Sequence, residues 1–269
     1  MGVIVGAFAT SHVLGAPEGV EDQAERVFQG MREIGRRLQA ARPDVLVVIT
    51  ADHLNNFHAD RPAPFAIALD EVLFPYGDMG LPRDPVPGAA DFARGLAAFA
   101  AAEGLPVERL EGARPDHGVM IPHGVADPER RIPTALFYVN AAIAPAPEPA
   151  DCWRAGDVLR RYVESRRPPK ERVALLAGGG LSHWLGVPEE GRVNAAWDRD
   201  FMAMMTAGRG AELARLTNAE ILAQAGNGGL EVGAWIALAG AAPNARGEPL
   251  YYEAMPSWAS GMGGLALNV

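Results

Sequence analysis

Residues 45–53 read VLVVITADH. A run of apolar and β-branched residues with no polar alternation marks a strand covered on both faces. Its carboxyl end opens into a polar turn that carries His53. The same pattern occurs twice more: VIVGAFATSH (3–12) runs out to His12, and VALLAGGGLSH (173–183) runs out to His183. Between these runs lie amphipathic stretches. In 21–41, Val27, Met31, Ile34 and Leu38 recur at about 3.6 residues. Acidic residues lead that stretch, arginines close it, and Pro43-Asp44 stops it. Further strands are predicted at 65–69, 107–110 and 133–140, with closing strands at 250–255 and 263–269. Helices are predicted at 88–103, 153–166, 194–207, 210–215, 217–225 and 229–241. Alternation of this kind predicts an α/β sheet, with the active site at the strand carboxyl ends. The proline-rich APAPEPAD (144–151) has the composition of a linker, but the alternation resumes after it. It is read as a surface loop within one domain spanning 1–269.

Composition narrows the function. The chain has 269 residues, 49% hydrophobic and 21% charged, which is ordinary globular usage and excludes a disordered chain. The formal net charge of −9 supplies no basic face, so neither nucleic acid nor an anionic membrane is an expected partner. Cys152 is the sole cysteine, which rules out an internal disulfide and a cysteine-rich zinc site and suits a reducing cytosol. The first residues, MGVIVGAFATSH, lack a basic segment ahead of the apolar run, and no stretch approaches the ~20 apolar residues of a membrane span. A cytoplasmic location is the expectation.

Six histidines are present, and three of them follow apolar strands. Three such strand ends can converge on one spot. Two more, His117 and His123, lie in PDHGVMIPH (115–123), read as a rigid loop rich in proline and glycine. GGGLSH carries neither a phosphate-loop nor a dinucleotide fingerprint, and no G-x-S-x-G elbow. Its glycines let the backbone approach a ligand or turn sharply before His183. In NGGLEVGAWIALAG (227–240), Glu231 is the one acid in an apolar helix start, a place for a dipole-stabilising charge or for a metal ligand. Two imidazoles and a carboxylate make the facial triad of Fe(II) oxygenases. A zinc hydrolase uses the same donor types, so the residues alone leave iron and zinc open.

FATSH, VLVVITADH, DHGVMIPH, GGGLSH, WDRDF (197–201), GGLEVGAW and PSWASGMGGL follow one another in an order and spacing that is specific as a set. Over essentially its whole length the chain resembles the class III extradiol ring-cleavage dioxygenases. The resemblance implies an α/β core with a mixed central sheet flanked by helices. It implies His12, His53 and Glu231 as ligands of Fe(II), His183 as the acid–base histidine and His117 as a second active-site histidine. His123 would line the substrate pocket. His58 matches no motif and is assigned to the surface or the pocket rim. Asp52, just before a ligand, either supports it or is a simple turn acid. The implied reaction is Fe(II)-dependent cleavage of a catechol-type ring by O2 to a semialdehyde-type acid, in a homo-oligomer or with a small second subunit. A zinc-dependent hydrolase and a non-catalytic metal-binding protein are the alternatives. A carboxylated substrate would need a cation, and Arg114, Arg131, Arg192 and Arg246 all fall in loops. Trp184, beside His183, packs on a substrate ring or in the core.

Overall fold

Every residue of VLVVITA is buried, as a strand covered on both faces requires. The computed structural model describes residues 1–58, 60 and 62–269. In its first half the elements are β1 (Val3–Thr10), α1 (Glu21–Ala40), β2 (Val45–Ala51), β3 (Phe65–Ala68), β4 (Val72–Leu73), β5 (Val86–Pro87), α2 (Ala90–Ala102), β6 (Val107–Leu110) and α3 (His117–Ala126). There follow β7 (Thr134–Val139), α4 (Pro149–Arg166), β8 (Arg172–Gly178), α5 (Ala195–Thr206), α6 (Gly210–Leu213), α7 (Asn218–Ala225), α8 (Val232–Ala241), β9 (Gly247–Met255) and β10 (Ser260–Leu267).

One eight-stranded sheet has the order β6-β3-β7-β2-β8-β1-β10-β9. Its central strands β7, β2, β8 and β1 are parallel. β3, with the parallel β6 outside it, runs antiparallel to β7 on one side, and β10 runs antiparallel to β1 on the other, with β9 antiparallel to β10 at the edge. The sheet is therefore mixed. Alternate side chains of β2 serve two cores. Val45, Val47 and Ile49 join the layer containing α2, α4, α5 and α8. Leu46 and Val48 join the layer containing α1 and α3. Thr10 of β1 lies level with Gly178 of β8, and Ile49 of β2 level with Ala177. The loops carrying His12, His53 and His183 therefore leave the sheet along one edge. Among the described residues no helix is long and apolar enough to cross a membrane.

Two segments differ from their sequence reading. PDHGVMIPH is not a loop: from His117 on it is helix α3, capped by Asp116, whose side chain accepts from the Gly118 N–H. A local cap and burial of Val119, Met120 and Ile121 outweigh the glycine and proline signals. In APAPEPAD the last residues are not loop either. Pro149 begins α4, where Glu148 and Asp151 form a capping box.

Candidate active site

The residues at the sheet edge meet in one place. Glu231 ends the 3₁₀ turn Gly228–Glu231 and leads into α8. Its Oε2 lies 3.2 Å from His12 Nε2, and its Oε1 lies 3.3 Å from His53 Nε2 and 3.7 Å from His183 Nε2. Gly180 N–H donates to Glu231 Oε2 at 2.7 Å, and Trp235 Nε1 donates to the Gly179 carbonyl, tying the GGG turn to α8. His117 stacks on His53, with ring centroids 4.1 Å apart. The structure thus brings together His12, His53, His117, His183 and Glu231.

Each imidazole except His12 is oriented by a partner. His53 Nδ1 donates to Asp116 Oδ2 at 3.0 Å, which leaves Nε2 unprotonated in the neutral ring and turned to Glu231. His117 Nδ1 is paired with Asp78 Oδ2 at 2.5 Å. His183 Nδ1 donates to the Leu181 carbonyl at 2.8 Å. The His183 loop is itself pinned: Asp198, from WDRDF, accepts from Ser182 N, Ser182 Oγ and Tyr252 Oη. Gly228 packs so close to His183 Nε2 that a Cβ there would overlap the ring. Ser11, next to His12, is held from both sides by Gly263, which accepts from its N–H and donates to its hydroxyl.

The electrostatics are those of a cation site. Burial pushes His12 below its ordinary value despite the pull of Glu231. Burial would raise Glu231, but the charges and hydrogen bonds of His12 and His183 hold it well below the usual carboxylate range. Burial pulls His53 down, yet its bonds to Asp116 and Glu231 outweigh this and raise it to about 10. Both ring nitrogens of the fully buried His12 lack a well-formed hydrogen bond. An unpartnered buried nitrogen is costly, and a metal ion would satisfy it. Ligand atoms of His12, His53 and His117 lie within 4.8 Å of one another, and Glu231 lies closer still to the first two. These donors fit a divalent cation.

A cleft of about 520 Å³ reaches His53 and Glu231 from outside, large enough for a small aromatic molecule. Its walls come from residues 141–146, the α7 residues Asn218 and Leu222, and Leu185, Asn227 and Leu230. Part of the proline-rich segment read as a surface loop is therefore a wall of the site.

The other expected residues fall elsewhere. His123 is not brought to the cleft. It is fully buried, with Nε2 against Thr134 Oγ1 at the opposite, amino end of β7; this corrects the reading of His123 as a pocket residue. Asp52 folds the turn after β2, accepting from the N–H groups of Asn55, Asn56 and Phe57, and among the described residues it hydrogen-bonds to no imidazole. His58 is exposed. Arg192 lies over the buried Trp184, and Arg114 over Tyr76. Arg131 pairs with Glu129, and Arg246 is exposed. Two residues escaped the sequence reading. Asp116 stands beside His117 in the DHG motif, and that adjacency was a usable signal. Asp78 reaches His117 from a distant turn with no local signal.

Comparison with known proteins meets this geometry. The profile of the family described as the catalytic LigB subunit of aromatic ring-opening dioxygenase matches residues 6–263. The chain belongs to this family. A 2,3-dihydroxyphenylpropionate/2,3-dihydroxicinnamic acid 1,2-dioxygenase of Burkholderia vietnamiensis is 29% identical to this LigB-family chain, over 90% of this chain and 89% of that protein. An enzyme of the same name from Klebsiella pneumoniae is 26% identical, over 93% and 92%. Among solved structures, uncharacterized protein JW3007 from Escherichia coli K12 shares the fold, with a TM-score of 0.65 at 16% identity over 97% of this chain and 100% of that one. The LigB-family chain is a ring-opening dioxygenase of the extradiol class, and the histidine cluster at its strand ends is suited to a metal.

Proposed function

We propose that this dioxygenase opens a catechol-type ring by Fe(II)-dependent extradiol cleavage, with the metal on His12, His53 and Glu231. The observation that carries this is the placement of Glu231. It is a buried carboxylate whose oxygens face the Nε2 atoms of two histidines, and among the described residues its ion-pair partners are histidines alone. A buried carboxylate whose oxygens face the Nε2 atoms of several imidazoles is a place for a cation, and two imidazoles with one carboxylate leave coordination positions for substrate and O2. His117 is the competing third donor. It is assigned to the substrate side because Glu231 faces the Nε2 atoms of both His12 and His53, which completes three donors without it.

Ferrous iron held there would supply the electron transfer between ring and O2 that spin pairing otherwise slows, and Lewis acidity toward the ring hydroxyls. The protein's own groups manage protons and position. His183 donates from Nδ1 to Leu181, so in its neutral form the lone pair lies on Nε2, facing the site. There it accepts a proton from a substrate hydroxyl and can return it to the oxygen released when the O–O bond breaks. His117, oriented by Asp78, keeps Nε2 for a second hydroxyl or for the oxygen that attacks the ring. The product is a semialdehyde-type acid.

The test is anaerobic reconstitution with Fe(II), followed by a catechol panel and air. One O2 consumed per substrate with a yellow product is the expected result. Tight zinc binding with no O2 uptake would replace this reading with hydrolase chemistry.

A further inference from the structure

We infer that the substrate of this enzyme carries an uncharged, apolar ring substituent and that carboxylated catechols are disfavoured; this rests on the ring-opening reading above. The cleft that reaches His53 and Glu231 is walled by Ala141, Ile143, Pro145, Leu185, Leu222 and Leu230. Among the described residues no lysine or arginine lines it, and apart from His53 its ionisable groups are the carboxyls of Asp52, Glu148 and Glu231. Arg192 and Arg114, which lie over Trp184 and Tyr76, are outside the lining.

The polar side chains in the wall are engaged with the protein itself. Asn227 accepts from Leu185 N–H through Oδ1 and donates from Nδ2 to the Leu185 carbonyl. Asn218 donates to the carbonyls of Ala146 and Pro147. Glu148 accepts from the Asn218 N–H while it caps α4. Asp52 is filled by backbone donors of its own turn. A carboxylate on the substrate side chain would lose water here, meet no lysine or arginine among the described lining residues and face carboxylates. A propyl group of the same length would meet matching apolar wall. Burying a charge without a partner is strongly unfavourable, whereas burying methyl and methylene groups is favourable. The relatives from Burkholderia vietnamiensis and Klebsiella pneumoniae are named for catechols with acid side chains, so this wall marks a divergence in specificity within the family.

The test compares 3-propylcatechol with 2,3-dihydroxyphenylpropionate, which differ at the end of one side chain, on the Fe(II)-loaded enzyme. The expected result is a kcat/KM at least tenfold higher for the propyl compound. Anaerobic calorimetric titration of the same pair should give a Kd ratio in the same direction without turnover. Leu222→Arg, on the rim, should shift both ratios at least tenfold toward the acid. Equal use of the two compounds, preference for the acid, or ratios unmoved in Leu222→Arg would overturn the inference while leaving ring opening intact. If iron binds and no catechol is opened, both readings fall together.

Discussion

Asp116 shows how one side chain can set the orientation of a proposed metal ligand. Its Oδ2 accepts from His53 N, His53 Nδ1 and Asn55 Nδ2, and its Oδ1 accepts from Gly118 N at the start of α3. Burial would raise this carboxyl, but the His53 bond holds it at about 2. Asp116→Asn should therefore weaken metal affinity by about 10–100-fold, the usual effect of losing such a partner, as competition with a chelator would measure. Glu231→Gln should fail to retain iron, and His117→Ala should retain it; the reverse pattern would move the third ligand to His117. His183→Ala should keep metal and substrate but lose turnover by roughly 10²–10⁴, the range for general acid–base help. His123 makes a different prediction. Thr134 Oγ1 donates to the Ile132 carbonyl, so His123 Nε2 must donate to Thr134, and its ring is buried neutral. Burial lowers it from 6.5 to about 4. Between those values the unfolded chain binds a proton that the folded chain does not. Stability therefore rises with pH across that window and is lost on acidification, by up to about 3 kcal/mol at pH 4. Urea unfolding at pH 7 and pH 4.5 should show a smaller acid loss in His123→Leu than in the wild type; equal losses would refute the assignment. Histidines that follow strands were legible in sequence because strand ends converge. His123 was not, because its distance from the site depends on the direction of a helix hidden behind glycine and proline.

At the scale of elements, the strands and the long helices were legible from apolar periodicity. β2 and α1 follow their patterns to within a residue or two at each end. The β4–β5 ribbon was not, since two-residue strands carry no period. Nor was α3, whose start depends on the Asp116 cap. The contact that anchors Glu231 was also invisible. α8 is buried at every position and packs on α4 where a Cβ on Gly156 would overlap the Ala237 carbonyl and one on Gly240 the Trp153 carbonyl. Both obstacles are backbone, which cannot swing aside. Gly156→Ala should destabilise by on the order of 1–3 kcal/mol, as overpacking does, seen as a lower Tm. Because α8 begins directly after Glu231, the variant should also loosen metal retention. A variant with unchanged Tm would show that the two helices can separate freely.

Over the whole molecule, the site is a junction of distant parts of the chain. The loop after β1 supplies His12, the loop after β2 His53, the loop after β8 His183 and the entry to α8 Glu231. A metal held by three of these should act as a cross-link in the folded state alone. At free metal one hundred times Kd the stabilisation is about 2.7 kcal/mol, or roughly 5–10 °C in a domain of this size. Differential scanning with and without a chelator should show that shift, and Glu231→Gln should abolish it. The parallel centre of the sheet could be read from unbroken apolar runs; which strand lies beside which could not, since pairing is decided by packing between remote segments. The pairing of β1 with β10 has its own consequence for how the protein is made. As the ribosome extends the chain, the strand bearing His12 waits with one edge bare until the β9–β10 hairpin emerges and Gly263 clamps Ser11. A nascent chain halted before that hairpin therefore already carries His12, His53, His183 and Glu231, but the loop that holds His12 lacks its clamp.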